Sequence, residues 1–148
     1  MILKFAHYRR LFAVAALGAA LFGLARPARA ESNVLAVARH YLGARNPTGF
    51  RGPWCKAFVN LALRRAGRPA SRSYRAIAAL HDGARVRAPR PGDLVVMRHH
   101  VAFFLRFGGR GVVALGGNQG RRHRVTVSSY PRRRVIAFVR PFAHRRRS

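Results

Sequence analysis

The hydrophobic positions of this chain change their period twice. An unbroken apolar run at positions 11–25 (LFAVAALGAALFGLA) follows Lys4, Arg9 and Arg10. Its length suits the hydrophobic region of a secretion signal and falls short of the ~20 residues of a spanning helix. Arg26 and Arg29 interrupt the run, and Ala28 and Ala30 place small residues at the two positions a signal peptidase reads. The pattern predicts a signal peptide over 1–30 with cleavage after Ala30; an uncleaved membrane anchor is the alternative. From Asn33 the apolar spacing becomes helical. Val34, Val37, Ala38 and Tyr41 share one face of a helix predicted over 33–41, with Ser32 as N-cap and Gly43 as its stop. The breaker-rich loop 46–53 then leads to a second helix starting at Trp54 or Cys55. Its face is Cys55, Phe58, Val59, Leu61 and Ala62, and Arg64, Arg65 and Gly67 close it. A short third helix is predicted over 73–80.

From Pro91 the period falls to two. Pro91-Gly92-Asp93 is turn chemistry ahead of a strand at 94–97, and Val101, Phe103, Leu105 and Phe107 alternate along a second strand. The loop 108–111 reverses the chain into a strand at 112–115, and strands near 125–128 and 135–140 complete the set. Helices followed by an antiparallel meander define an α+β fold: N-terminal helices packed on an antiparallel sheet of about five strands. The predicted organisation is a signal peptide at 1–30, one domain at 31–143 and a basic tail at 144–148.

Charge and composition then narrow the function. The chain of 148 residues has 30 Lys+Arg against 3 Asp+Glu, a net charge of +27. All but Lys4 and Lys56 of the basic residues are arginine, and Arg, Ala, Gly and Pro share G- and C-rich codons, so part of the excess reflects base composition. The remainder predicts an anionic partner: nucleic acid, lipid headgroup or acidic polymer. Loss of the five basic residues of the signal would leave +22 on the exported domain. Export favours the anionic bacterial envelope over nucleic acid, and no nucleic-acid motif is readable. Glu31, Asp82 and Asp93 are the only acids, which argues against a paired-carboxylate glycosidase. The seven histidines lack carboxylates to complete a metal site, so neither metal nor other cofactor is expected. A monomer is expected.

The single cysteine, Cys55, closes no internal disulfide and is either a small buried hydrophobe or a reactive thiol. Its place at a helix start favours the thiolate through the helix dipole and free N–H groups, which also suit an oxyanion. His100 opens the strand at 101–107, and parity sets it with Ala102 and Phe104, opposite His99. A histidine on a sheet against a helix N-terminus can act as the base of a thiol hydrolase. Asn118, in the Leu115-Gly116-Gly117-Asn118-Gln119 segment that returns beside His100, is either the group that orients the imidazole or a left-handed turn residue. Tyr41 and Asn46 are both candidates for a second oxyanion donor. His99 reads as a rim residue, and Trp54 as either a cleft floor or a helix anchor.

Three blocks carry a resemblance. They are Gly49-Phe50-Arg51-Gly52-Pro53-Trp54-Cys55-Lys56-Ala57-Phe58-Val59, Pro91-Gly92-Asp93-Leu94-Val95-Val96 with His100-Val101-Ala102-Phe103, and Leu115-Gly116-Gly117-Asn118-Gln119. Together, in this order, the chain resembles the CHAP group of cysteine, histidine-dependent amidohydrolases/peptidases, in the NlpC-type branch of the papain-like fold. The resemblance runs from about position 34 to 141. It implies Cys55 as nucleophile, His100 as general base, Asn118 as orienting residue and peptidoglycan as substrate, cut at the muramoyl–L-alanine amide or within the stem or cross-bridge peptide. Many of these enzymes carry a Glu just before the Asn, where this chain has Gly116 and Gly117. The competing expectation is a non-catalytic cationic module that binds the cell wall or envelope on the same fold.

Overall fold

The computed structural model describes residues 33–109 and 111–143. The predicted signal peptide at 1–30, the predicted N-cap Ser32 and the predicted basic tail at 144–148 lie outside the described residues. Helix α1 is Asn33–His40 and α2 is Cys55–Arg65, both close to their predicted bounds. The predicted third helix is a 3₁₀ turn, Ala76–His81. Six strands follow: β1 Gly83–Val86, β2 Leu94–Met97, β3 Val101–Gly108, β4 Gly111–Gln119, β5 Arg124–Pro131 and β6 Val135–Pro141, with a second 3₁₀ turn, Arg132–Arg134, ahead of β6. They form one open antiparallel sheet in the order β1-β6-β2-β3-β4-β5. The fold is α+β as expected, with one more strand than the pattern predicts. β1 escapes a period-two reading because its residues are only half-buried or exposed and its sole sheet neighbour is β6.

The sheet separates its side chains into two clusters. Leu94, Val96, Val101, Phe103, Leu115, Val125 and Val139 face the helices and pack with Leu35, Phe58, Val59 and Leu63 into the main core. Burying each such Leu or Phe contributes about 1.5–3 kcal/mol. The opposite parity, with Val95, Met97, Ala102, Phe104, Val112, Ala114 and Phe138, forms a second cluster without helical cover. Curvature of the sheet closes this side. Tyr130 pairs with Val112, which pairs with Phe107, seven residues along β3 from His100, a span of ~23 Å in a flat sheet. The Tyr130 and His100 ring centroids nevertheless lie 5.3 Å apart. The sheet folds over its own concave face to bring them together.

Gly117 lets α2 settle on β4. A Cβ at Gly117 would stand 2.4 Å from the Trp54 ring and 2.7 Å from the Phe58 Cβ, so the first turn of α2 can lie this close only over glycine. A Cβ at Gly116 would stand 2.4 Å from the Gln119 amide nitrogen and 2.8 Å from the Ala102 Cβ. Position 116 thus has no room for a side chain, because the amide of Gln119 and the Ala102 Cβ fill it.

Candidate active site

Cys55 is the first residue of α2 and is 3% exposed. The backbone groups of Val101, Lys56 and Cys55 itself, together with the Lys56 charge, favour the thiolate. Burial outweighs them and pushes the thiol pKa up. The sequence reading expected a lowered pKa from the helix terminus. Desolvation reverses it, so the resting group is the thiol.

His100 precedes β3, next to Val101, whose backbone favours the Cys55 thiolate. Its Nε2 is buried and has no hydrogen-bond partner. Burial, with a smaller contribution from the Arg134 charge, lowers its pKa to about 4, so the imidazole is neutral at neutral pH. The ring stacks at a tilt on Tyr130, whose Oη donates to Gln119 Oε1 at 2.6 Å, while Gln119 Nε2 donates to the Thr126 carbonyl at 3.2 Å. Burial raises the Tyr130 pKa to about 12. Tyr130 and Gln119, which fix one side of the imidazole, are the residues that sequence reasoning missed. Buried polarity at Gln119, 3% exposed, was the signal, but it is invisible in the chain alone.

Cys55 belongs to the helix-side cluster and is near enough to Tyr130 to raise its pKa, while the His100 imidazole stacks on that same Tyr130, which borders the cluster of Ala102 and Phe104. Cys55 opens on a cleft of about 590 Å³ lined also by Phe50, Pro53, Tyr74, Arg75, Ala76, Ile77, Arg98 and His99. Phe50 and Tyr74 stack with centroids 4.5 Å apart along one wall. His99, read as a rim residue, therefore lines the same cleft as the thiol.

Asn118 adopts the left-handed conformation, φ 58°, and its Oδ1 accepts from His123 Nδ1 at 2.9 Å. The β3–β4 register, Phe103 opposite Leu115, continued by three residues, sets Asn118 level with His100, yet its side chain is engaged with His123. Of the two residues considered for a second oxyanion donor, Asn46 is committed to its loop. It donates to the Phe50 carbonyl at 2.8 Å and accepts from Thr48 Oγ1 at 2.6 Å. Tyr41 packs edge-on against Phe58. Trp54 is buried against Phe58 and Gly117, which makes it an anchor of α2.

A buried ion pair fixes α2 from below. Lys56 Nζ lies 2.7 Å from Asp82 Oδ2, both almost wholly buried, and bonds Asn60 Oδ1 and Ser71 Oγ; Asn60 in turn holds the Ser73 carbonyl. Asp82 Oδ2 makes this charge contact without the angles of a hydrogen bond. Burial lowers the Lys56 pKa, with Asp82 opposing the shift. The other described carboxylate, Asp93, pairs with Arg140 at 2.9 Å. No group of three His, Cys, Asp or Glu residues among those described is arranged to hold a metal ion, and no described helix is long and apolar enough to cross a membrane. No family model matches the chain, and no curated protein matches it.

Proposed function

We propose that the protein is an exported cysteine hydrolase of papain-like, CHAP-type architecture that cleaves amide or peptide bonds of peptidoglycan. The observation that carries the reading is the buried, unpartnered Nε2 of His100, next in the chain to Val101, whose backbone favours the Cys55 thiolate. An orphaned buried ring nitrogen is costly, and a base awaiting a proton gives it a use. Thiol and imidazole are both neutral at rest, so His100 acts as a general base in concert with attack and not as half of a standing ion pair.

His100 takes the Cys55 proton as sulfur adds to the carbonyl carbon, and the Cys55 and Lys56 amides receive the oxyanion. The imidazolium then protonates the leaving nitrogen as the C–N bond breaks. Water, deprotonated by His100, hydrolyses the thioester and regenerates the thiol. Asn118, released from His123, is the proposed orienting amide for His100. The aromatic wall of Phe50 and Tyr74 offers apolar surface to a sugar or peptide, and Arg75 and Arg98 attract carboxylates of the stem.

Mass spectrometry of products from a defined muropeptide mixture tests the reading. Wild type is expected to release new amines, and Cys55→Ala to release none while keeping its fold. No products across a panel of wall types, together with an unreactive Cys55, sinks the proposal. A second reading, a wall-binding module without catalysis, draws support from the raised Cys55 pKa and the engagement of Asn118 with His123. It expects Cys55→Ala to leave wall binding and phenotype unchanged.

A further inference from the structure

A second concave site lies on the other side of Trp54. Arg45, Asn46, Trp54, Arg122, His123 and Arg124 line an open, shallow pocket of about 500 Å³. Arg45 and Arg124 stand directly opposite each other in an isolated antiparallel bridge. Like charges so placed repel, and no described carboxylate offsets them, because Asp82 and Asp93 are held by Lys56 and Arg140. The backbone is also strained here. Three described non-glycine residues have positive φ: Asn46 at 21°, Asn118 at 58° and His123 at 45°. Two of them line this pocket, and the third bonds to His123. Left-handed conformations cost free energy at non-glycine residues and persist where the surroundings impose them, commonly at ligand sites.

We propose that this pocket binds a phosphate-class oxyanion, either a free phosphate or a phosphodiester group of a polymer. Three arginines and a histidine lining one concavity suit a compact anion with several acceptor oxygens. Arginine matches phosphate with paired N–H groups. Arg124 is already oriented, since its Nη1 donates to the Gly43 carbonyl at 2.7 Å. The aromatic residue of the pocket, Trp54, is 5% exposed and offers no face for stacking a base, so the site reads phosphate and not a nucleobase. An anion between Arg45 and Arg124 converts their repulsion into two attractive contacts. The site does not depend on any chemistry at Cys55.

The test is a titration of the folded protein, wild type and Arg45→Gln/Arg122→Gln, with inorganic phosphate and then with a glycerol-phosphate oligomer. These substitutions leave the Arg124 to Gly43 bond in place. Salt at about 150 mM, where the screening length is ~8 Å, suppresses diffuse attraction. Saturable binding is expected, with amide shifts concentrated at Arg45, Asn118, His123 and Arg124, weakened about tenfold or more in the double variant. A control pair, Arg85→Gln/Arg87→Gln, is expected to bind as wild type. Tighter binding of the oligomer than of phosphate at equal phosphate concentration assigns a polymer strand, and equal binding assigns a free anion. Without phosphate, Arg45→Gln is expected to melt no lower than wild type because it removes a repulsion. Equal loss in the control pair, shifts spread over the whole surface, acetate binding as well as phosphate, or a lower melting point for Arg45→Gln would each overturn the proposal.

Discussion

His100 and His99 are neighbours with opposite prospects. His99 is exposed and lines the cleft at Cys55, while His100 is half-buried, with its Nε2 buried and idle. If His100 is the base, His100→Ala lowers kcat/KM on a muropeptide by on the order of a hundredfold or more. His99→Ala then changes it by less than about tenfold; the reverse ranking reassigns the base. The pH profile carries a second test. A base with pKa about 4 is free above that value, so activity is flat through neutrality and falls as pH drops toward 4. Arg134→Gln removes a charge that holds the pKa down, and the acid limb moves upward. A limb that stays put in this variant means another group controls it. The direction of the Cys55 shift was not legible from position. A helix start announces a favourable field, but the opposing desolvation is summed over atoms from α2, β3 and β4, and only their packing supplies it.

At the scale of elements, the site depends on how α2 meets the sheet. Gly117→Ala forces a methyl into the Trp54 ring and Phe58, with an overpacking cost of about 1–3 kcal/mol. Because Trp54 and Cys55 share the first turn, activity is expected to fall by more than the lost stability explains, read as kcat at a temperature where the variant is folded. Lys56→Met leaves Asp82 buried without its counter-charge, a loss of about 3–5 kcal/mol in urea unfolding, and Lys56→Met/Asp82→Leu recovers most of it. If the double variant is as unstable as the single one, the pair is not what anchors the helix. The helix starts and strand alternation were readable because period and breakers act between near neighbours. The Lys56–Asp82 pair was not, since nothing local distinguishes these two residues from solvated charges, and β1 was missed because its edge position leaves no buried stripe.

For the whole molecule, the charge is nearly uncompensated. With Asp82 and Asp93 already paired, screening has few attractive contacts to weaken and much repulsion to relieve. The melting temperature is therefore expected to rise by several degrees as sodium chloride increases from low to physiological strength, and to fall only if exposed ion pairs dominate. By itself the sequence determined the α+β class, the antiparallel strands, Cys55 at a helix start and His100 at the opening of a strand, because these follow from spacing along a short stretch of chain. The tertiary structure alone decided that Tyr130 and Gln119 flank the imidazole, that Asn118 bonds His123, that Cys55 rests as a thiol and that Arg45 faces Arg124. Each depends on curvature of the sheet or on solvent excluded by distant segments, and neither quantity is written in any local pattern.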